Sequence, residues 1–146
     1  MMFVSVTNTP NIIQPPVSQQ AEAKVEVKAE ADISNATSTE DVKRITKEYF
    51  KETPILAEIA RCESTYRQFS SVGVPLRGIV NGADVGVMQI NEKYHLARSV
   101  ELGMDIDTLE GNLEYGALLY KEQGSQPWSA SKPCWGKKEV ALASNI

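Results

Sequence analysis

Between residues 7 and 39 the chain has no aromatic residue. The stretch "TNTPNIIQPPVSQQAEAKVEVKAEADISNATST" is rich in Pro, Gln, Ala, Glu, Lys and Ser. That composition buries too little apolar surface to offset the entropy of ordering it. A core must therefore come from the residues C-terminal to it, and residues 1–37 read as a flexible, disordered arm or linker. The chain has 146 residues, which leaves room for one domain of ordinary size. We expect that domain over 38–138 and a C-terminal tail over 139–146. The opening "MMFVSV" is apolar but only six residues long, too short for a signal-peptide core. It fits the remnant of a trimmed export segment.

Charge and cysteine usage narrow the function classes. Net charge is −4, so no basic footprint points to nucleic acid. No apolar run approaches the length of a membrane span. Cys62, Cys134 and the single histidine, His95, form neither a CxxC motif nor a His-rich cluster. No metal site and no cofactor are expected. By count alone, two cysteines fit one disulfide in an exported protein or two buried thiols in a cytosolic one.

The element signals are mostly helical. Ser38 with Asp41 resembles a capping box, followed by Val42, Ile45 and Tyr49 at helical spacing. Thr53-Pro54 restarts the chain as N-cap and first helical position. In "PLRGIVNGADVGVMQIN" two short β-branched runs surround Asn81-Gly82, which predicts a small β-hairpin there. Asn91 should cap a third helix that stops at Gly103. Asp107 with Glu110 predicts a further capping box. The helix after it places Leu109, Leu113, Gly116 and Tyr120 on one face and stops at Gly124. The fold class expected is α+β, mostly α.

The second helix poses a chemical question. In "EIARCESTY", Ile55, Ile59, Cys62 and Tyr66 cluster on one side at about 100° per residue. Glu63 falls between Ile59 and Leu56, inside the apolar stripe. Low dielectric disfavours the charged form of a carboxyl group. An acid kept protonated near neutral pH can donate a proton to a leaving group. Cleavage of a glycosidic bond needs such an acid at the bridging oxygen. The alternative is a Glu at a helix end whose side chain reaches solvent.

"CES", then "GVMQIN", "NLEYGALLY" and "PWSASKPCW", in that order, resemble the lytic transglycosylase and goose-type lysozyme superfamily. The resemblance covers roughly residues 40 to 135 and implies a lysozyme-like domain. It implies that Glu63 is the single catalytic acid/base. It implies that Ser64 contacts that acid or the sugar's acetamido group. Gly86, Met88 and Gln89 match the hairpin motif that lines the sugar groove. Their chemistry agrees: Gly permits close approach, Met gives an adaptable apolar wall, and Gln both donates and accepts. Core packing is the alternative for Met88. Asn112 matches an Asn that orders loops near the site, against an exposed helix Asn. Tyr115 and Tyr120 are candidates to support Glu63 or substrate, although periodicity places Tyr120 in the core. Trp128 and Trp135 could stack on sugars or fill the core.

Two departures from the family pattern stand out. The Ala-Tyr-Asn motif of many lytic transglycosylases is replaced by "PWSASKPCW", so the supporting tyrosine is unassigned. No second carboxylate is fixed. Asp84 is the nearest candidate, against a local Asx hydrogen bond in a turn.

The resemblance implies cleavage of the β-1,4 bond between N-acetylmuramic acid and N-acetylglucosamine in peptidoglycan. With one acid and no assured nucleophile, substrate assistance and a 1,6-anhydro product are expected, as in a lytic transglycosylase. The alternatives are a hydrolytic lysozyme, a non-catalytic cell-wall-binding module, and an inhibitor or structural domain. The expected partner is the glycan strand, and the expected state is a monomer. The arm leaves open a membrane tether or a larger assembly. A cell-wall substrate implies the cell envelope, periplasmic or extracellular. In that oxidising compartment Cys62 and Cys134 are expected to be bonded.

Overall fold

The first capped helix starts where the sequence places its cap. Ser38 Oγ accepts from the Asp41 N–H at 3.1 Å and opens α1, Thr39–Tyr49. This computed structural model describes residues 32–144. The arm expected over 1–37 lies mostly outside the described residues. Its last part does not behave as an arm, because Ala36 is buried and Ile33 packs against the core. The packed chain thus begins before Ser38.

Pro54 opens α2, Pro54–Ser64, where a missing N–H costs nothing. The helix ends at Thr65 and Tyr66, both left-handed, with φ of 53° and 60°. Such a conformation costs a non-glycine residue about 1–2 kcal/mol. Side-chain and backbone bonds at this corner offset it. Tyr66 is buried, so the apolar stripe read from the sequence continues past the helix end.

The two-stranded antiparallel sheet differs from expectation. β1, Asp84–Val85, pairs with β2, Ile90–Asn91, with Asp84 opposite Asn91 and Val85 opposite Ile90. Its turn is therefore 86–89, not Asn81-Gly82. Gly86 supplies the φ of +73° that this turn requires. Asn81-Gly82 sits in a loop closed by a single Arg77–Val85 bridge. Ile79 and Val80 stand fully in solvent there, because no strand lies opposite them.

Asn91 caps α3, Glu92–Glu101, by accepting from the Lys93 N–H, and Gly103 follows with φ of +72°. α4, Leu109–Gln123, is capped by Thr108, which accepts from the Gly111 N–H. The expected Asp107–Glu110 box is thus replaced by a cap one residue later, a single bond from the Gly111 N–H to Thr108 Oγ1. The Asp107 N–H is taken by the Asp105 side chain and its carbonyl by Gln68, so its backbone is committed elsewhere. Gly124 ends α4 as expected. A 3-10 segment, Gln126–Ser131, leads into α5, Lys132–Ala143. That helix runs through the stretch read as the start of a tail.

The described residues are mostly helical with one small antiparallel sheet, an α+β arrangement. α2 packs chiefly on α5. Ile55, Leu56 and Ile59 of α2, Leu113 and Leu119 of α4, and Met88 and Ile90 of the hairpin form the core with Trp128 and Trp135. Burying each large apolar side chain contributes about 1.5–3 kcal/mol. The expected Cys62–Cys134 disulfide is present and ties α2 to α5, with Cα atoms 6.0 Å apart. No helix among the described residues is long and apolar enough to cross a membrane.

Candidate functional site

The penultimate residue of α2 opens onto two adjoining clefts. One, of about 630 Å³, is lined by Glu63, Arg67, Asp84, Gln89 and Ser131 among others. The second, of about 320 Å³, shares Glu63, Asp84 and Gln89 and adds Tyr94, His95 and Gln123. Glu63 therefore sits where both clefts meet, half-buried. Burial pushes its carboxyl above the usual range. A hydrogen bond from Ser131 opposes that rise, and the negative charge of Asp84 adds to it. Desolvation outweighs the hydrogen bond, so the net direction is toward a group that keeps its proton.

Glu63 is held from α5's side. Ser131 Oγ donates to Glu63 Oε1 at 2.5 Å. Trp135 Nε1 in turn donates to Ser131 Oγ at 2.9 Å, which orients the hydroxyl. The Cys62–Cys134 bond fixes the two backbones within a few residues of that contact. Asp84 accepts from Asn91 Nδ2 at 2.7 Å and Asn81 Nδ2 at 3.2 Å, which fixes a second carboxylate in the same clefts. The Asx turn weighed for Asp84 belongs to Asn81, whose Oδ1 accepts from the Ala83 N–H.

The wall bearing Gln89 is the 86–89 turn, which follows Asp84 of β1, and the backbone groups of Val87 and Met88 within it are satisfied by side chains. The Val87 N–H donates to Gln68 Oε1 at 2.8 Å and its carbonyl accepts from Ser64 Oγ at 2.8 Å. The Met88 N–H donates to Asn112 Oδ1 at 2.9 Å and its carbonyl accepts from Trp128 Nε1 at 2.8 Å. A Cβ on Gly86 would collide with the Asn112 and Gln68 amides. Asn112 Nδ2 also donates to the Val85 and Ile106 carbonyls, tying α4 to both neighbouring segments.

The sequence-derived residues divide on this geometry. Glu63 and Gln89 line the clefts, and Gly86 permits the turn. Ser64 is buried and bonds the turn and the Arg67 N–H, with no hydrogen bond to Glu63. Met88 and Asn112 are fully buried, so they support the wall from behind instead of touching a ligand. Tyr115 is buried with its hydroxyl 3.1 Å from His95 Nδ1. Tyr120 lines a different cleft, with Pro54, Ile55 and Leu142. Neither tyrosine is hydrogen-bonded to Glu63, whose side-chain partner is Ser131. Trp128 and Trp135 are core residues whose indoles donate hydrogen bonds inward.

Ser131, Gln68, Tyr94, His95 and Arg67 escaped the sequence reading. Ser131 lies 68 residues from Glu63, and no local pattern links them. Gln68 follows the catalytic-looking helix by one loop, where a polar residue looks solvated. Tyr94 is largely exposed and lies one turn beyond the Asn91 cap, which was the available signal. The chain matches no protein-family model, no curated protein and no solved structure.

Proposed function

We propose that this protein has a lysozyme-like fold and cleaves the β-1,4 bond between N-acetylmuramic acid and N-acetylglucosamine in peptidoglycan. The observation that carries this reading is a half-buried Glu63 with a raised pKa at the meeting point of two open clefts. Glu63 donates its proton to the bridging oxygen as the C1–O bond breaks. The developing charge at C1 is stabilised by the substrate's own acetamido group. The Glu63 carboxylate then removes a proton from the sugar's C6 hydroxyl, and that oxygen bonds to C1. The product is a 1,6-anhydro sugar, and intramolecular attack benefits from high effective concentration.

A specific observation favours hydrolysis as a second reading. The anhydro expectation leaned on the lack of a second carboxylate, and Asp84 lines the same clefts as Glu63. A fixed carboxylate there can stabilise positive charge at C1 or position a water. The Glu63 carboxylate would then take its proton from water, leaving a reducing end. The disulfide is compatible with a periplasmic or extracellular site of action. Action as a monomer on glycan strands completes the proposal. A non-catalytic wall-binding module would not need a desolvated acid at the cleft.

Mass spectrometry of muropeptides released from purified peptidoglycan tests both readings. Anhydro and reducing products differ by one water. Anhydro ends support the transglycosylase, reducing ends support the lysozyme, and no release at all rejects the proposed function.

A further inference from the structure

Arg67 lines two clefts at once: the larger cleft beside Glu63 and a separate one of about 560 Å³. The residues lining the separate cleft include Thr37, Ser38, Thr39, Ser70 and Ser71, together with Phe69 and Gly73. The site beside Glu63 therefore has a branch, and Arg67 stands at the fork. Arg67 Nε donates to the Ser64 carbonyl at 3.0 Å, which anchors the guanidinium at the left-handed end of α2.

Its charge is unspent. Arg44, Arg61, Arg77 and Arg98 pair with Asp41, Glu58, Glu92 and Glu122. Among the described residues no carboxylate lies within ion-pair distance of Arg67. The first-turn acids of α1, Glu40 and Asp41, are paired with Lys43 and Arg44. Ser70 Oγ is buried without a hydrogen-bond partner. A buried polar atom of that kind is ordinarily satisfied.

We infer that this branch cleft takes the acidic peptide stem of the glycan, with Arg67 pairing with one of its carboxylates. The inference rests on the proposed function, because a peptidoglycan strand is itself branched. Each muramic sugar carries a lactyl group from which a peptide with free carboxylates departs. A guanidinium recognises a carboxylate through a planar fork. The hydroxyl-bearing residues among the lining suit the amides of the peptide, and Phe69 offers an apolar face to its side chains. A lactyl group stripped of its peptide also offers a carboxylate. It would use Arg67 alone and leave the remainder of the branch empty.

The test uses the full chain and three soluble probes, read by backbone amide shifts in NMR titrations up to about 10 mM. The probes are the free stem tetrapeptide, the same peptide with its carboxylates amidated, and N-acetylmuramic acid. The expected result is saturable binding of the free peptide with shifts at Arg67, Ser70 and Ser71. Amidation of the peptide, and Arg67→Gln in the protein, should each weaken binding at least tenfold. N-acetylmuramic acid should bind more weakly and leave Ser70 and Ser71 unshifted. Peptide binding that survives Arg67→Gln, or an N-acetylmuramic acid affinity equal to that of the peptide, would overturn the inference. So would the absence of peptide shifts at these residues. The probes need no turnover. A protein that binds the peptide but cuts no glycan would therefore refute the proposed function and leave this assignment in place.

Discussion

The 86–89 turn and the 79–82 loop flank β1 on either side, yet one is built into the core and the other stands in solvent. Val87 and Met88 are fully buried, whereas Ile79 and Val80 are fully exposed. Four side chains from other elements, Gln68, Ser64, Asn112 and Trp128, bond the backbone of the turn. The loop is closed by bonds of its own backbone, from Asp84 to Asn81 and from Gly78 to Asp84. Both contribute to the cleft beside Glu63. One wall of the cleft is thus pre-set while its rim is free to adapt. Burial and satisfied polar groups separate high-stability segments from those that open locally.

The largest effect should come from the constraint that secures the pre-set side. Replacing Cys62 and Cys134 together by Ser removes a bridge between residues 72 apart in sequence. The expected loss is about 4 kcal/mol in the chain-entropy model, read by urea denaturation against the oxidised protein. A loss under about 1 kcal/mol would mean that the packing of α2 on α5 needs no staple.

Gly86→Ala attacks the turn directly. The new Cβ meets the amides of Asn112 and Gln68, and the backbone sits at φ of +73°. Strain and overpacking together should cost about 3 kcal/mol, with hydrogen exchange at Val87 and Met88 accelerated. An unperturbed Gly86→Ala protein would break the contrast between the two segments.

The same contrast separates what was legible in the sequence from what was not. Helix starts carried by a cap or a proline, at Ser38, Pro54 and Asn91, were readable because the signal is local. Glu63 was readable for a similar reason, since a single helix period places it among apolar neighbours. The hairpin was placed too early because Asn81-Gly82 is a strong local turn signal. The real turn is dictated by long-range bonds from Gln68 and Asn112 that no local pattern announces. Ser131 was invisible for the same reason, as it reaches Glu63 only once α5 has packed on α2. Periodicity placed Tyr120 against the core, where it packs, but a helix period gives a face and not what lies opposite it, so the Tyr115 contact with His95 was not legible.

Ser131→Ala separates orientation from burial at the acid. The hydrogen bond from Ser131 lowers the Glu63 pKa against the stronger effect of desolvation. Without it that pKa should move further up, and the alkaline limb of the activity profile should shift to higher pH. Turnover at the optimum should fall about tenfold through lost positioning, a smaller effect than losing the acid itself. A profile shifted to lower pH would contradict the role assigned to this contact.

The smallest effect belongs to the free rim. Ile79→Ser and Val80→Ser remove exposed side chains with no packing partners, so stability should change by less than about 0.5 kcal/mol. A larger loss in thermal denaturation would show that the loop is not the adaptable side.

The proposed chemistry depends on a desolvated Glu63 as proton donor, and Glu63→Gln removes that proton alone. Gln keeps size and can still accept from Ser131, but it holds no transferable proton. The folded pKa of Glu63 is raised, so the stability linked to it is present below the unfolded value and is lost as pH rises through the folded one. Gln suffers no such loss. The variant should therefore melt higher than wild type at neutral pH, with the gap closing toward about pH 4. On purified peptidoglycan its turnover should fall at least about a hundredfold. A folded Glu63→Gln protein that releases muropeptides at the wild-type rate would contradict a proton-donating Glu63.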